Sequence, residues 1–239
     1  MRHPWLSSAA LLLVSLATTA EATDEVAGDR FTFVSPNGVT ETCVALTGMP
    51  GGVYSAEDRA KEKSLCGIDI YNAAVAICPK LRSTSPGTFV YEITTGPYAG
   101  DREGFEAKFC PRGEVVVHEA DGPPANFKVT MNAKGTSATF STASLLYYHF
   151  ARYLDASIQV PVSVYRSIDR KVHEQRVTRR GIELSAAKKS LRMNHAAWQE
   201  LDAVEKNPEA YPETDELFTA DRTRIYGVLH HDSGRRYGP

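Results

Sequence analysis

Between Phe140 and Arg166 the chain reads FSTASLLYYHFARYLDASIQVPVSVYR, and this stretch restricts the possible fold more than any other. Ser141 or Thr142 can cap a helix by accepting a backbone hydrogen bond in its first turn. Ala143, Leu146, Tyr147, Phe150, Ala151 and Leu154 then recur at helical spacing, with Ser144, Tyr148, Arg152 and Asp155 on the other side. The pattern predicts an amphipathic helix that buries the first set. Tyr147, Tyr148, Phe150 and Tyr153 are expected to pack together in the core. Ile158, Val160, Val162 and Val164 next alternate with Gln159, Pro161, Ser163 and Tyr165, which predicts a strand with one buried face. Pro161 has no N–H to donate and belongs near the start of that strand or on an edge.

The N-terminus bears on the compartment. Arg2 and His3 precede an apolar run from Leu6 to Ala17, and Ala20-Glu21-Ala22 supplies a small-x-small site. This reads as a secretory signal peptide over residues 1–22, cleaved after Ala22. The run is too short to span a bilayer comfortably, so no membrane anchor is expected. A secreted or periplasmic location follows. In such an oxidising compartment Cys43, Cys66, Cys78 and Cys110 are expected to form two disulfides, and three pairings are open. No two of them have the Cys-x-x-Cys spacing of a zinc site, so no metal is expected. With 27 basic and 29 acidic residues, the net charge of −2 gives no general attraction to nucleic acid.

Residues 23–239 carry no repeat or linker and read as a single α+β domain. Arg30–Ser35 and Val39–Leu46 flank the turn Pro36-Asn37-Gly38 and predict a hairpin. Ser55 with Asp58 is a capping box opening a short polar helix. Cys66–Cys78 reads as a buried strand or hairpin. Thr88–Ile93, Glu114–His118 and Asn126–Asn132 read as further strands, the last with Lys128 on its polar side. A helix is expected from Asp169 to Arg179, stopping at Gly181, and two more over Ser185–Met193 and Ala196–Glu205. Arg224–His230 reads as a final strand. The turn Asp232-Ser233-Gly234 after it suggests a hairpin lacking its second strand, hence a chain truncated at the C-terminus.

Motifs for common chemistries are absent: there is no Gly-x-Ser-x-Gly elbow, no His-Glu-x-x-His pair and no phosphate-binding loop. His118, His149, His173, His195, His230 and His231 read as surface or core histidines, although Asp169 and His173 lie one helical turn apart. Arg166, Arg170, Lys171, Arg176, Arg179 and Arg180 concentrate positive charge. A solvated helix balanced by Asp169 and Glu174 is the simpler reading, and a phosphate-bearing partner the alternative.

The order of elements from Lys128 to Arg166 is a strand with an outward lysine, a helix, and a strand of the form V-P-x-x-V-x-R. It resembles the N-terminal lobe of atypical secreted kinase-like proteins, such as secretory-pathway casein kinases and bacterial toxin–antitoxin kinases. SLLYYHFARYLD, CPKLRSTSPGTFVYE and GRRYGP are similar to a group of uncharacterised exported bacterial proteins. The kinase resemblance implies antiparallel strands with a central packed helix, followed by a helical segment. It also implies phosphoryl transfer from ATP with a divalent metal ion, Lys128 contacting the phosphates. The helix acid that should pair with this lysine is missing near Ser144, and the catalytic aspartates of the family would lie in a second lobe. On that reading the chain alone is inactive. The alternative is a non-enzymatic interaction domain of the envelope or extracellular space, stapled by disulfides and meeting a protein partner.

Overall fold

The computed structural model describes residues 26–83, 85–131, 140–210 and 216–231. The signal-peptide reading, its cleavage after Ala22 and the turn at 232–234 lie outside them. The chain is α+β, built on a seven-stranded antiparallel sheet. Its strands are β1 (Gly28–Val34), β2 (Thr40–Leu46), β3 (Val75–Pro79), β4 (Gly87–Glu92), β5 (Ala125–Val129), β6 (Ser163–Asp169) and β7 (Arg224–His231), in the spatial order β1-β2-β6-β7-β5-β4-β3. Among the described residues five helices accompany the sheet: α1 (Ala56–Gly67), α2 (Arg102–Phe109), α3 (Thr142–Tyr153), α4 (170–186, with a π-helical stretch at Glu174–Thr178) and α5 (Arg192–Lys206).

Register fixes which side chains share a face. Phe127 stands opposite Leu229, which stands opposite Val164, and all three are buried. They join Cys43, Tyr148, Val177, Trp198 and Leu201 in the main core, so α1, α3, α4 and α5 contribute to one cluster on that face. Asn126 and Lys128 alternate with Phe127 and belong to the opposite face. There, at the β3–β4 end, Cys78, Phe89 and Tyr91 form a second cluster with Phe105 and Phe109 of α2. The edge strand β3 is blunted by α2, because the Ile77 amide donates to Glu106 Oε1 at 2.8 Å.

Both disulfides form, as Cys43–Cys66 and Cys78–Cys110. The first ties β2 to the end of α1, and the second ties β3 to the end of α2. Among the described residues no helix is long and apolar enough to cross a membrane.

Several elements differ from the sequence reading. The strand after α3 occupies 163–169 rather than 158–165, and all of it except Tyr165 is buried, Arg166 included. Glu114–His118 is not a strand. Both sides of β4 and of β5 are already paired, and Val115 and Val117 are left exposed. Between Cys66 and Cys78 only 75–78 is strand, since Cys66 belongs to α1. Helix α4 does not stop at Gly181 but runs on to Ala186, and α5 is a single helix from Arg192. A Cβ at Gly181 would lie 2.4 Å from the Trp198 ring, so glycine is there to let the two helices close, not to end one. Strand β7 has partners on both sides, β6 and β5, both earlier in the chain.

Gly181→Ala should lower unfolding stability by about 1–3 kcal/mol through overpacking against Trp198, measured by urea denaturation. Replacing both cysteines of either disulfide by alanine should cost about 3 kcal/mol, as expected for closed loops of some tens of residues.

Candidate functional site

Helix α3 sits in the sheet's helical layer in an unexpected orientation. Its buried residues are Leu145, Tyr148, His149 and Ala151, with Arg152 half-buried beside them. Leu145, Tyr148, His149 and Arg152 stand at i, i+3, i+4 and i+7, a helical stripe of their own. Of the stripe expected in the core, Ala151 is buried and Ala143 half-buried, but Leu146, Tyr147, Phe150 and Leu154 are exposed by 54%, 66%, 45% and 69%. Tyr153 is exposed too, so of the aromatic cluster only Tyr148 enters the core.

The cause lies on α1. Ser55 caps α1 and closes a capping box with Asp58, as the sequence predicts. Asp58 and Glu62 then lie one turn apart on its buried side. Arg152 donates to both oxygens of Asp58, at 2.9 and 2.7 Å, and the Tyr148 hydroxyl donates to Glu62 Oε1 at 2.8 Å. Tyr54 Oη and His149 Nδ1 lie 2.7 Å apart, and the Met49 amide donates to the same hydroxyl. A bidentate ion pair and hydrogen bonds from a neighbouring helix thus outweigh burial of the more apolar side. Turning α3 over would leave Asp58 with only its Ser55 cap and Glu62 with only Arg59, at a cost of about 1–3 kcal/mol for each charge-assisted hydrogen bond lost.

These contacts set local acidity. Burial works to raise the Asp58 carboxyl, but hydrogen bonds from Arg152 and Ser55 outweigh it and hold it at about 2. Burial lowers the His149 imidazole, with Arg59 and Arg152 adding to it and Glu62 opposing. Its Nε2 is buried without a hydrogen-bond partner.

Around this anchored edge the outer side of α3 forms one apolar strip. Phe140, just before the helix, is exposed, and so is Val53, whose amide donates to the Arg152 carbonyl at 2.9 Å. With aromatic side chains worth ~150–250 Å² each, the strip offers on the order of 600–800 Å² of apolar surface. The largest patch on a typical monomer is about 300–600 Å².

The other candidate residues go elsewhere. Lys128 is half-buried on the face of the sheet opposite α3, and no acidic partner for it occurs among the described residues. Asp169 caps α4, accepting from the Lys171 and Val172 amides and from Ser35 Oγ and Asn37 Nδ2. His173 Nδ1 lies 2.6 Å from Glu205 Oε1 in the core rather than beside Asp169. Four of the six basic residues are paired with acids: Arg166 with Glu41, Arg176 and Arg180 with Glu106, and Arg179 with Glu174, while Arg170 donates to the Arg222 and Glu205 carbonyls and Lys171 is exposed. No group of three or more metal-ligating side chains occurs among the described residues.

A cavity of about 280 Å³ opens at the end of β4, β5 and β7, lined in part by Ile68, Glu92, Asp121 and His231. Sequence reading did not single it out. Glu92 is raised by burial and by Asp121, whereas Asp121 is held at about 2 by hydrogen bonds from Thr94 and Thr95. Asp121 spends both oxygens on the hydroxyls and amides of those two threonines, which makes it a clasp for the 94–95 turn. The exposed strip of α3 is therefore the strongest candidate for function.

Comparison with protein-family models, with curated proteins and with solved structures finds no match to this chain.

The Asp58 contact has a pH signature. Its carboxyl is lowered in the folded state, so the stability it provides is present above pH ~4 and is lost as pH falls towards 2. After allowance for solvent screening the loss should be about 1–2 kcal/mol. Asp58→Asn should flatten urea stability over that window.

Proposed function

We propose that this chain is an exported, disulfide-stabilised binding domain that acts in the periplasm or outside the cell and engages a protein partner through the outer face of α3. One observation carries the reading: α3 turns its charged and hydrogen-bonding edge into the fold and leaves Leu146, Tyr147, Phe150, Tyr153 and Leu154 in solvent. Contiguous exposed apolar surface of this size marks interaction sites, and aromatic residues are the side chains enriched at their centres. The signal-like segment at 1–22 and the two disulfides support an oxidising destination. A phosphotransferase role would rest on Lys128. That residue is half-buried, lies on the other face of the sheet and has no helix acid beside it, so the binding reading is preferred.

The test is photo-cross-linking in the exporting cell. A photoreactive phenylalanine analogue at Tyr147 should give a discrete higher-mass adduct, and the same probe at the exposed β1 residue Thr32 should give none. Failure of the Tyr147 probe to cross-link any protein would overturn the proposal.

A further inference from the structure

Resting on the reading of α3 as the binding surface, we infer that its partner is a second copy of this chain, with the two α3 helices packed antiparallel about a two-fold axis. In a two-fold interface the same patch meets itself, so it must carry no charge that would repel its own copy. The strip meets that condition. From Thr142 to Ala151 the helix bears no Asp, Glu, Lys or Arg, and Arg152 is turned inward onto Asp58. Size agrees as well: on the order of 600–800 Å² is close to the ~800 Å² that each partner buries in a standard interface.

The helix ends favour the antiparallel arrangement. Helix α3 has no acidic residue in its first turn and no side-chain cap at Ser141. Its N-terminal amides therefore lack the negative charge that normally accompanies them. Asp155, exposed just beyond the C-terminal end in a left-handed conformation (φ 45°), is the acid available. Were the axis to cross the outer side of α3 between Tyr147 and Phe150, Asp155 of each copy would fall beside the first turn of its partner's helix. Each copy would then supply what the other lacks, over a helix about 18 Å long.

Sedimentation equilibrium on the oxidised chain 23–239 tests this, over about 1–100 µM, a range in which an interface of this class associates. The expected result is a mass rising from one chain to two. Tyr147→Glu/Phe150→Glu should remain at one chain with an unchanged circular dichroism spectrum and, at a dilution where the parent is a single chain, an unchanged melting temperature, and Asp155→Lys should weaken association about tenfold. A single-chain mass throughout would overturn the inference, as would a dimer that the double substitution leaves intact. So would a single chain that instead binds phosphatidylglycerol vesicles through Tyr147 and Phe150, which would assign the strip to a membrane surface. If the mass stays at one chain while Tyr147 still cross-links another protein in the cell, the second copy is excluded and the binding function stands.

Discussion

The pairing of Arg152 and Tyr148 on α3 with Asp58 and Glu62 on α1 is the interaction on which the molecule's outward character depends. Two acids one turn apart on one helix meet an arginine and a tyrosine spaced four residues apart on another. The match has to be that specific because the carboxylates are almost fully buried. Without α3 these carboxylates would have only Ser55 and Arg59 as partners, and the added charge-assisted bonds from Arg152 and Tyr148 choose which side of α3 faces the sheet. Everything apolar on the other side is then committed to solvent or to a partner.

The same logic recurs beneath the β2–β6 pair. Glu41, fully buried, accepts from the Asp169 amide at 2.7 Å and from the Tyr71 hydroxyl, and pairs with Arg166. The Arg166 guanidinium stacks 4.2 Å from the centre of the Phe33 ring. Burial raises the Glu41 carboxyl even though the hydrogen bonds and Arg166 pull it down. The network joins the first hairpin, the loop after α1, β6 and the start of α4. Disulfide Cys43–Cys66 lies alongside and fixes α1 to the same strand, which holds Asp58 and Glu62 where α3 needs them.

Much of this was legible in the chain. The helix after Phe140, the capping box at Ser55, the first hairpin, the cap at Asp169 and the presence of two disulfides all follow from local rules. The orientation of α3 did not, because two stripes of helical spacing overlap on it. Deciding between them required the Asp58–Glu62 spacing more than eighty residues earlier. That spacing was visible in SAEDRAKEK, where the buried acids look like part of a solvated helix. The β6 boundary was misplaced for a related reason: Arg166 occupies a buried position that hydropathy assigns to an apolar residue. Gly181 reads locally as a stop, and only the Trp198 ring explains why the helix passes through it.

The central claim, that α3 faces inward with its polar edge, is tested most directly by placing one charge at two adjacent positions and comparing equilibrium unfolding in dilute solution. Leu145 is buried and Leu146 is exposed, one residue and a rotation of about 100° apart. Leu145→Glu should destabilise by about 3 kcal/mol or more, or prevent folding, as an unpaired charge in the core does. Leu146→Glu should stay within about 0.5 kcal/mol of the parent. The reverse order, with Leu146→Glu the damaging change, would contradict the account.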